Sequence, residues 1–158
     1  MNFRKAEKKE AKLIKVLYRS VIGDPFCTWD ESYPGEEEIR GDLEAGTLYV
    51  LEKGRELIGA VSIVPENEFD DLDCWKEKDH VREFARVVIR PAHQHQGRSR
   101  HLVDGVLKEL KSQHVAAVHI AVARDNIPAR KLYQKAGFSF CGEADMFGPH
   151  FILCEKML

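Results

Sequence analysis

The stretch Pro91-Ala92-His93-Gln94-His95-Gln96-Gly97-Arg98-Ser99-Arg100 lies between two segments of different periodicity. Before it, Arg86-Val87-Val88-Ile89 ends a β-branched run that suits a strand over residues 81–89. After it, Leu102, Val103, Val106, Leu107 and Leu110 recur at helical spacing, so a helix starts near Gly97. A strand thus passes through a one-glycine turn into a helix N-terminus. Unpaired amides and a partial positive charge make such an end an anion site.

The side chains sharpen the reading. The chain carries 26 Asp and Glu against 24 Lys and Arg, yet no acid occurs from Phe84 to Val103. Helices favour Asp or Glu in the first turn to offset the dipole. This helix begins instead among Arg98, Arg100 and His101, a choice that costs stability unless an anion sits there. A solvated basic turn is the plain alternative. The missing acids, the glycine and the preceding strand favour phosphate. Neither Gly-x-x-x-x-Gly-Lys-[Ser/Thr] nor Gly-x-Gly-x-x-Gly is present.

Length and composition bound the rest. With 158 residues, 44% hydrophobic and 32% charged, the chain predicts one domain over 1–158. A net charge of −2 with no basic block speaks against a nucleic-acid partner. No apolar run approaches the roughly 20 residues of a membrane span. The N-terminus lacks the apolar core of a signal peptide. Cys27, Cys74, Cys141 and Cys154 are scattered and fit reduced thiols better than a zinc site or disulfide framework. A cytoplasmic protein without metal is expected.

Along the chain, Asn2 to Lys5 predicts a short strand. A helix follows from about Glu7 to Val21, with Leu13, Ile14, Leu17, Tyr18 and Val21 inward. Glu36-Glu37-Glu38 opens a second helix that Gly46 closes. Leu48–Glu52 and Glu56–Val64 read as a hairpin across Lys53-Gly54-Arg55. The acidic loop Glu66 to Asp79 reads as solvated, the alternative being that it attracts a cationic amine. Val115–Ala123 is a strand and Pro128–Ala136 a helix stopped by Gly137. Phe138–Cys141 and Phe151–Lys156 are the last strands, with an edge that offers a homodimer contact.

A second motif fixes the family. Asn126-Ile127-Pro128-Ala129-Arg130-Lys131-Leu132-Tyr133-Gln134-Lys135-Ala136-Gly137-Phe138 resembles the pattern Asn-x-x-Ala-x-x-Leu-Tyr-x-Lys-x-Gly-Phe of the GNAT superfamily of acyl-CoA-dependent N-acyltransferases. Gln94-x-x-Gly97-x-Ser99 resembles the pyrophosphate loop of the same superfamily, Ser99 replacing its usual Gly or Ala. Both stand in the family's order and spacing.

The resemblance implies an α/β fold: a mixed, mostly antiparallel sheet of six or seven strands, about four helices, and a splayed strand pair for the cofactor. It implies an N-acetyltransferase that moves the acetyl group of acetyl-CoA to a primary amine in a ternary complex. The backbone of Val87, Val88 and Ile89 would pair with the pantetheine arm. Gln94, His95, Gln96, Gly97, Arg98, Ser99 and Arg100 would cradle the pyrophosphate, and Asn126 would contact the cofactor. Tyr133 would be the acid for the leaving thiolate, and Glu83 stands where some members carry a base. Trp29 and Tyr33 are candidate walls of the acceptor pocket; packing is favoured for Trp29, and Tyr33 stays open.

The chemistry needs these parts on its own terms. A phenol with a pKa of about 10 can protonate a thiolate whose thiol titrates near about 8.5. Backbone amides near Val88 could stabilise the oxyanion. In plain strand alternation Glu83 would share a face with Ala85, Val87 and Ile89, where apolar neighbours would raise its pKa. A structural ion pair with Arg86 or Arg82 is the competing role, and His119 is a weaker base candidate. A non-catalytic acyl-CoA sensor is the alternative to the enzyme.

Overall fold

In the computed structural model, residues 1–65, 69–146 and 148–158 are described. Glu66 and Glu68 of the acidic loop lie outside the described residues. Seven strands form one sheet in the order β1-β2-β3-β4-β5-β7-β6. They are β1 (Asn2–Lys5), β2 (Leu48–Lys53), β3 (Glu56–Val64), β4 (Val81–Ile89), β5 (Ala117–Ala123), β6 (Ser139–Asp145) and β7 (His150–Met157). Four α-helices accompany them among the described residues: α1 (Ala11–Arg19), α2 (Glu36–Ala45), α3 (Arg98–Ser112) and α4 (Ile127–Lys135). β4 and β5 run parallel, whereas β1 with β2, β2 with β3, β5 with β7 and β6 with β7 are antiparallel, so the sheet is mixed and mostly antiparallel.

The chain divides into two compact units. One comprises Met1–Ile63 and Ala85–Gly105. Its core gathers Ile14, Leu17, Tyr18 and Val21 with Ile39, Leu48, Val50, Leu57, Ala60 and Val88. The spacing 14, 17, 18, 21 is one stripe of a 3.6-residue helix, and each such aliphatic contributes about 1.5–3 kcal/mol on burial. Leu13 is 54% exposed, off that stripe by one residue, which corrects its expected inward place. The α2 acids have local work. Glu38 accepts the Gly35 amide at 2.9 Å and Glu36 pairs with Lys15 at 3.0 Å.

The other unit comprises Val64–Phe84 and Val106–Leu158. Here β5 pairs with β7 from Ala117↔Met157 to Ala123↔Phe151, and β7 with β6. The acidic loop is not simply solvated: Phe69 and Trp75 are buried with Leu153 in a small core. The Trp75 indole N–H donates to the Phe69 carbonyl at 2.8 Å, so the aromatic anchors outweigh the surrounding acids.

Candidate active site

Within the continuous strand β4, Arg86 is a non-glycine residue at φ 52°. A left-handed residue inside a strand inserts a bulge and breaks alternation. Glu83 and Phe84 are both buried, as are Val88 and Ile89, while the three residues between are half-buried. Glu83 therefore does not share one continuous face with Ala85, Val87 and Ile89, which corrects the plain-alternation expectation. The parallel ladder to β5 runs from Val81↔Ala117 to Glu83↔His119, and β4 continues for six residues beyond it.

Arg86 is held on its own side of the bulge. Its guanidinium donates to both oxygens of Asp42, at 2.9 and 2.8 Å, and to the Tyr33 hydroxyl at 3.2 Å. Ser62 donates to the same Asp42 carboxylate at 2.5 Å. An ion pair of Arg86 with Glu83, one of the roles considered above, is thus replaced by one with Asp42. Sequence reasoning missed Asp42, because an aspartate in an acid-rich helix gives no signal of a partner 44 positions away.

The loop after β4 is stapled to the strand end. The Gln94 side-chain amide donates to the Ile89 carbonyl at 3.0 Å, and Gln96 to the Ala92 carbonyl at 3.1 Å. His95 and Gly97 take φ values of 60° and 75° and turn the chain into α3. Among the described residues, the first amide of this end with a backbone acceptor is His101, on Gly97 at 3.3 Å. The amides of residues 98–100 point off the helix end. A β-carbon built on Gly97 would meet nothing within 4 Å, so the space beside the loop is open. Arg98 rests its Nη1 on the Met1 sulfur at 3.1 Å, and its buried Nε has no partner among the described residues. Arg100 pairs with Asp104 at 2.8 Å one turn on. Ser99 is half-buried. Amides, open space and two guanidinium groups fit a diphosphate.

In the second unit, Tyr133 is 6% exposed. Its ring stands edge-to-face on Phe138 at 5.7 Å and on Phe84 at 6.4 Å. Burial raises the Tyr133 phenol well above its ordinary range, with the Cys154 thiol adding slightly, so the hydroxyl stays protonated at any physiological pH. Glu83 precedes Phe84 on the unbulged part of β4, so the two side chains take opposite faces. Tyr133 and Phe84 lie on one face, Glu83 and His119 on the other. Asn126 caps α4, its Oδ1 accepting the Ala129 amide at 3.2 Å, which leaves its side-chain NH2 for another partner.

Of the two aromatic candidates, Trp29 packs edge-to-face on Tyr18 at 5.4 Å, the role favoured for it above. Tyr33 is 42% exposed and presents its hydroxyl to Arg86. Sequence reasoning also gave no hint that Trp75 stacks on His119, or that His119 meets Glu155.

Comparisons with known proteins bear on the family and the fold. A family model described as acetyltransferase (GNAT) family matches residues 14–138. No curated protein matches the chain. Among solved structures, a GNAT-family acetyltransferase from Streptococcus agalactiae superposes with a TM-score of 0.85 at 18% identity, covering 99% of this chain and 95% of its own. The ribosomal-protein-alanine N-acetyltransferase of Brucella melitensis gives 0.81 at 18% identity over 100% of both chains. The yncA protein of Salmonella typhimurium, solved with its cofactor acetyl-CoA, gives 0.80 at 18%, covering 100% of this chain and 94% of its own. Each of these shares the fold with this chain. With more than half its length matched by the family model, the chain belongs to the acetyltransferase (GNAT) family.

Proposed function

We propose that this acetyltransferase moves the acetyl group of acetyl-CoA to a primary amine of a small molecule or peptide, directly and without an acyl-enzyme. The observation that carries the reading is the bulged β4 running into the acid-free loop and bare amides of α3. That the yncA protein was solved with acetyl-CoA supports the choice of donor.

In this reading the backbone of Val87, Val88 and Ile89 pairs with the pantetheine arm. The loop Gln94 to Arg100 holds the pyrophosphate through its amides, Arg98 and Arg100 add charge, and the Asn126 amide donates to the cofactor. Amides beside the bulge stabilise negative charge developing on the thioester oxygen. Glu83 takes a proton from the acceptor amine on one face, and Tyr133 gives its proton to the departing sulfur on the other. Tyr33 remains a candidate wall of the acceptor pocket in this reading. The reaction belongs in the cytoplasm, where acetyl-CoA and reduced thiols occur.

The test is thiol release from acetyl-CoA with spermidine, kanamycin, lysine and a peptide bearing an N-terminal alanine. Release with at least one acceptor is expected. Binding of acetyl-CoA without release on any of them would favour the sensor reading.

A further inference from the structure

Three buried ionisable side chains stand in one row across three strands. Glu83 faces His119 in the β4–β5 ladder, and His119 faces Glu155 in the β5–β7 ladder. Side chains paired this way share a face with β-carbons about 5 Å apart. The three are 5%, 2% and 5% exposed.

The far end of the row is fixed. Glu155 accepts the backbone amides of Lys76 and Glu77 at 3.1 and 3.0 Å and meets His119 Nε2 at 2.9 Å. Burial pushes its carboxyl up, but the Glu77 and Lys76 amides and His119 outweigh this and leave it below the usual carboxylate range. A charged Glu155 can only accept, so the shared hydrogen belongs to Nε2. In the neutral ring Nδ1 then keeps a lone pair. The ring cannot turn away, because Trp75 lies flat on it with centroids 3.9 Å apart and an 8° tilt. Nδ1 is nonetheless buried with no hydrogen-bond partner among the described residues. Leaving a buried acceptor in that state is costly, and such groups in native proteins have a reason.

We infer that His119 is the positioning residue of the catalytic base, its Nδ1 reserved for a proton that arrives on Glu83. This rests on Glu83 as base in the reading above. An ionised Glu83 and a bare Nδ1 are both acceptors, so no hydrogen bond between them can form at rest. When the N–H bond of the acceptor ammonium breaks, its electron pair stays on nitrogen and an O–H bond forms on Glu83. That O–H donates to Nδ1 or passes its proton there, giving an imidazolium between two carboxylates. The proton returns through Glu83 to water when the products leave. The row thus raises the proton affinity of Glu83. Among the described residues, Arg82 precedes Glu83 on β4, Lys76 and Glu77 of the loop meet Glu155, and the Cys141 thiol on β6 lies near Glu155 with Cys74 and Cys154 beside it.

The test is a pH titration of the His119 ring by nitrogen-15 NMR in the full chain. The neutral form should carry its hydrogen on Nε2, and Glu83→Gln should lower the His119 midpoint by more than about half a pH unit. A hydrogen on Nδ1, or a midpoint indifferent to Glu83→Gln, overturns the inference. His119→Gln keeps a donor for Glu155 and removes the Nδ1 acceptor. With whichever of the four named acceptors is acetylated, the acid limb of kcat should move to lower pH while KM for acetyl-CoA stays within about twofold. A merely structural histidine would cost stability and leave that limb in place, which also overturns the inference. If none of the four is acetylated, the proposed function fails, while the NMR titration still decides whether the row is coupled.

Discussion

Tyr133 is where the chemistry is most exposed to test at the scale of a single residue. Its ring is fixed by Phe84 and Phe138, so removing the hydroxyl changes little packing. Tyr133→Phe should lower kcat by at least about 100-fold with acetyl-CoA affinity nearly unchanged, as loss of a general acid does. Turnover within a few-fold of the parent would remove Tyr133 from the role. The tyrosine was legible because it sits in a dense local motif ended by Gly137. Asp42 was not. Its importance comes from Arg86 and Ser62, which are remote in sequence and meet it only in the folded unit. Asp42→Ala strands the Arg86 guanidinium, 14% exposed, and should cost about 3 kcal/mol in urea unfolding. A loss below about 0.5 kcal/mol would mean the pair behaves like a solvent-screened surface bridge.

At the scale of elements, the strand and helix positions were largely readable from periodicity, and the bulge in β4 was not. Val81 to Ile89 reads as an ordinary strand, since nothing in an arginine announces φ 52°. The bulge nevertheless decides which side chains face which way, and it misled the assignment of faces around Glu83. The neighbouring strand records the tight approach more openly. A β-carbon on Gly59 would lie 2.7 Å from Ile89 Cδ1 and 3.1 Å from the Val88 carbonyl oxygen. The isoleucine tip can move, but the carbonyl of a paired strand cannot. Gly59→Ala should therefore destabilise by about 1–3 kcal/mol and weaken acetyl-CoA binding, both readable from thermal melts with and without the ligand. Unchanged melts in both conditions would show that β4 yields at this point without consequence. At the end of the β6–β7 hairpin, His150 puts Nε2 2.9 Å from Glu143 and Nδ1 2.6 Å from Asp145. Glu143 first and then Asp145 raise its pKa. Its contribution is full below the unfolded histidine value of about 6.5 and fades as pH rises through the higher folded value. His150→Gln should flatten stability against pH in that window. The group is exposed, and the effect will be small.

For the molecule as a whole, acid stability follows from carboxylates held below their unfolded values. Arg4 lowers Glu10, and the Glu77 and Lys76 amides with His119 lower Glu155 against the pull of burial. Such groups stabilise the fold above the unfolded glutamate value of about 4.3, and the contribution is lost as pH falls through their depressed folded values. Glu155→Gln should make urea-unfolding stability fall less steeply between about pH 5 and 3. An identical slope would show that Glu155 titrates in the fold as it does unfolded. The family and order of elements were legible because two motifs stand in register around a strand and a helix. The acceptor was not: Trp29 packs on Tyr18 and Tyr33 meets Arg86, and neither contact specifies a substrate.

The central claim is that the amides and guanidinium groups between Gln94 and Arg100 hold the diphosphate of acetyl-CoA. Calorimetry comparing acetyl-CoA with S-acetylpantetheine, which keeps the thioester and arm but lacks the nucleotide diphosphate, addresses it directly. Acetyl-CoA should bind at least about 100-fold more tightly, a difference of roughly 2.7 kcal/mol. Equal affinities, or no heat with acetyl-CoA, would contradict the account.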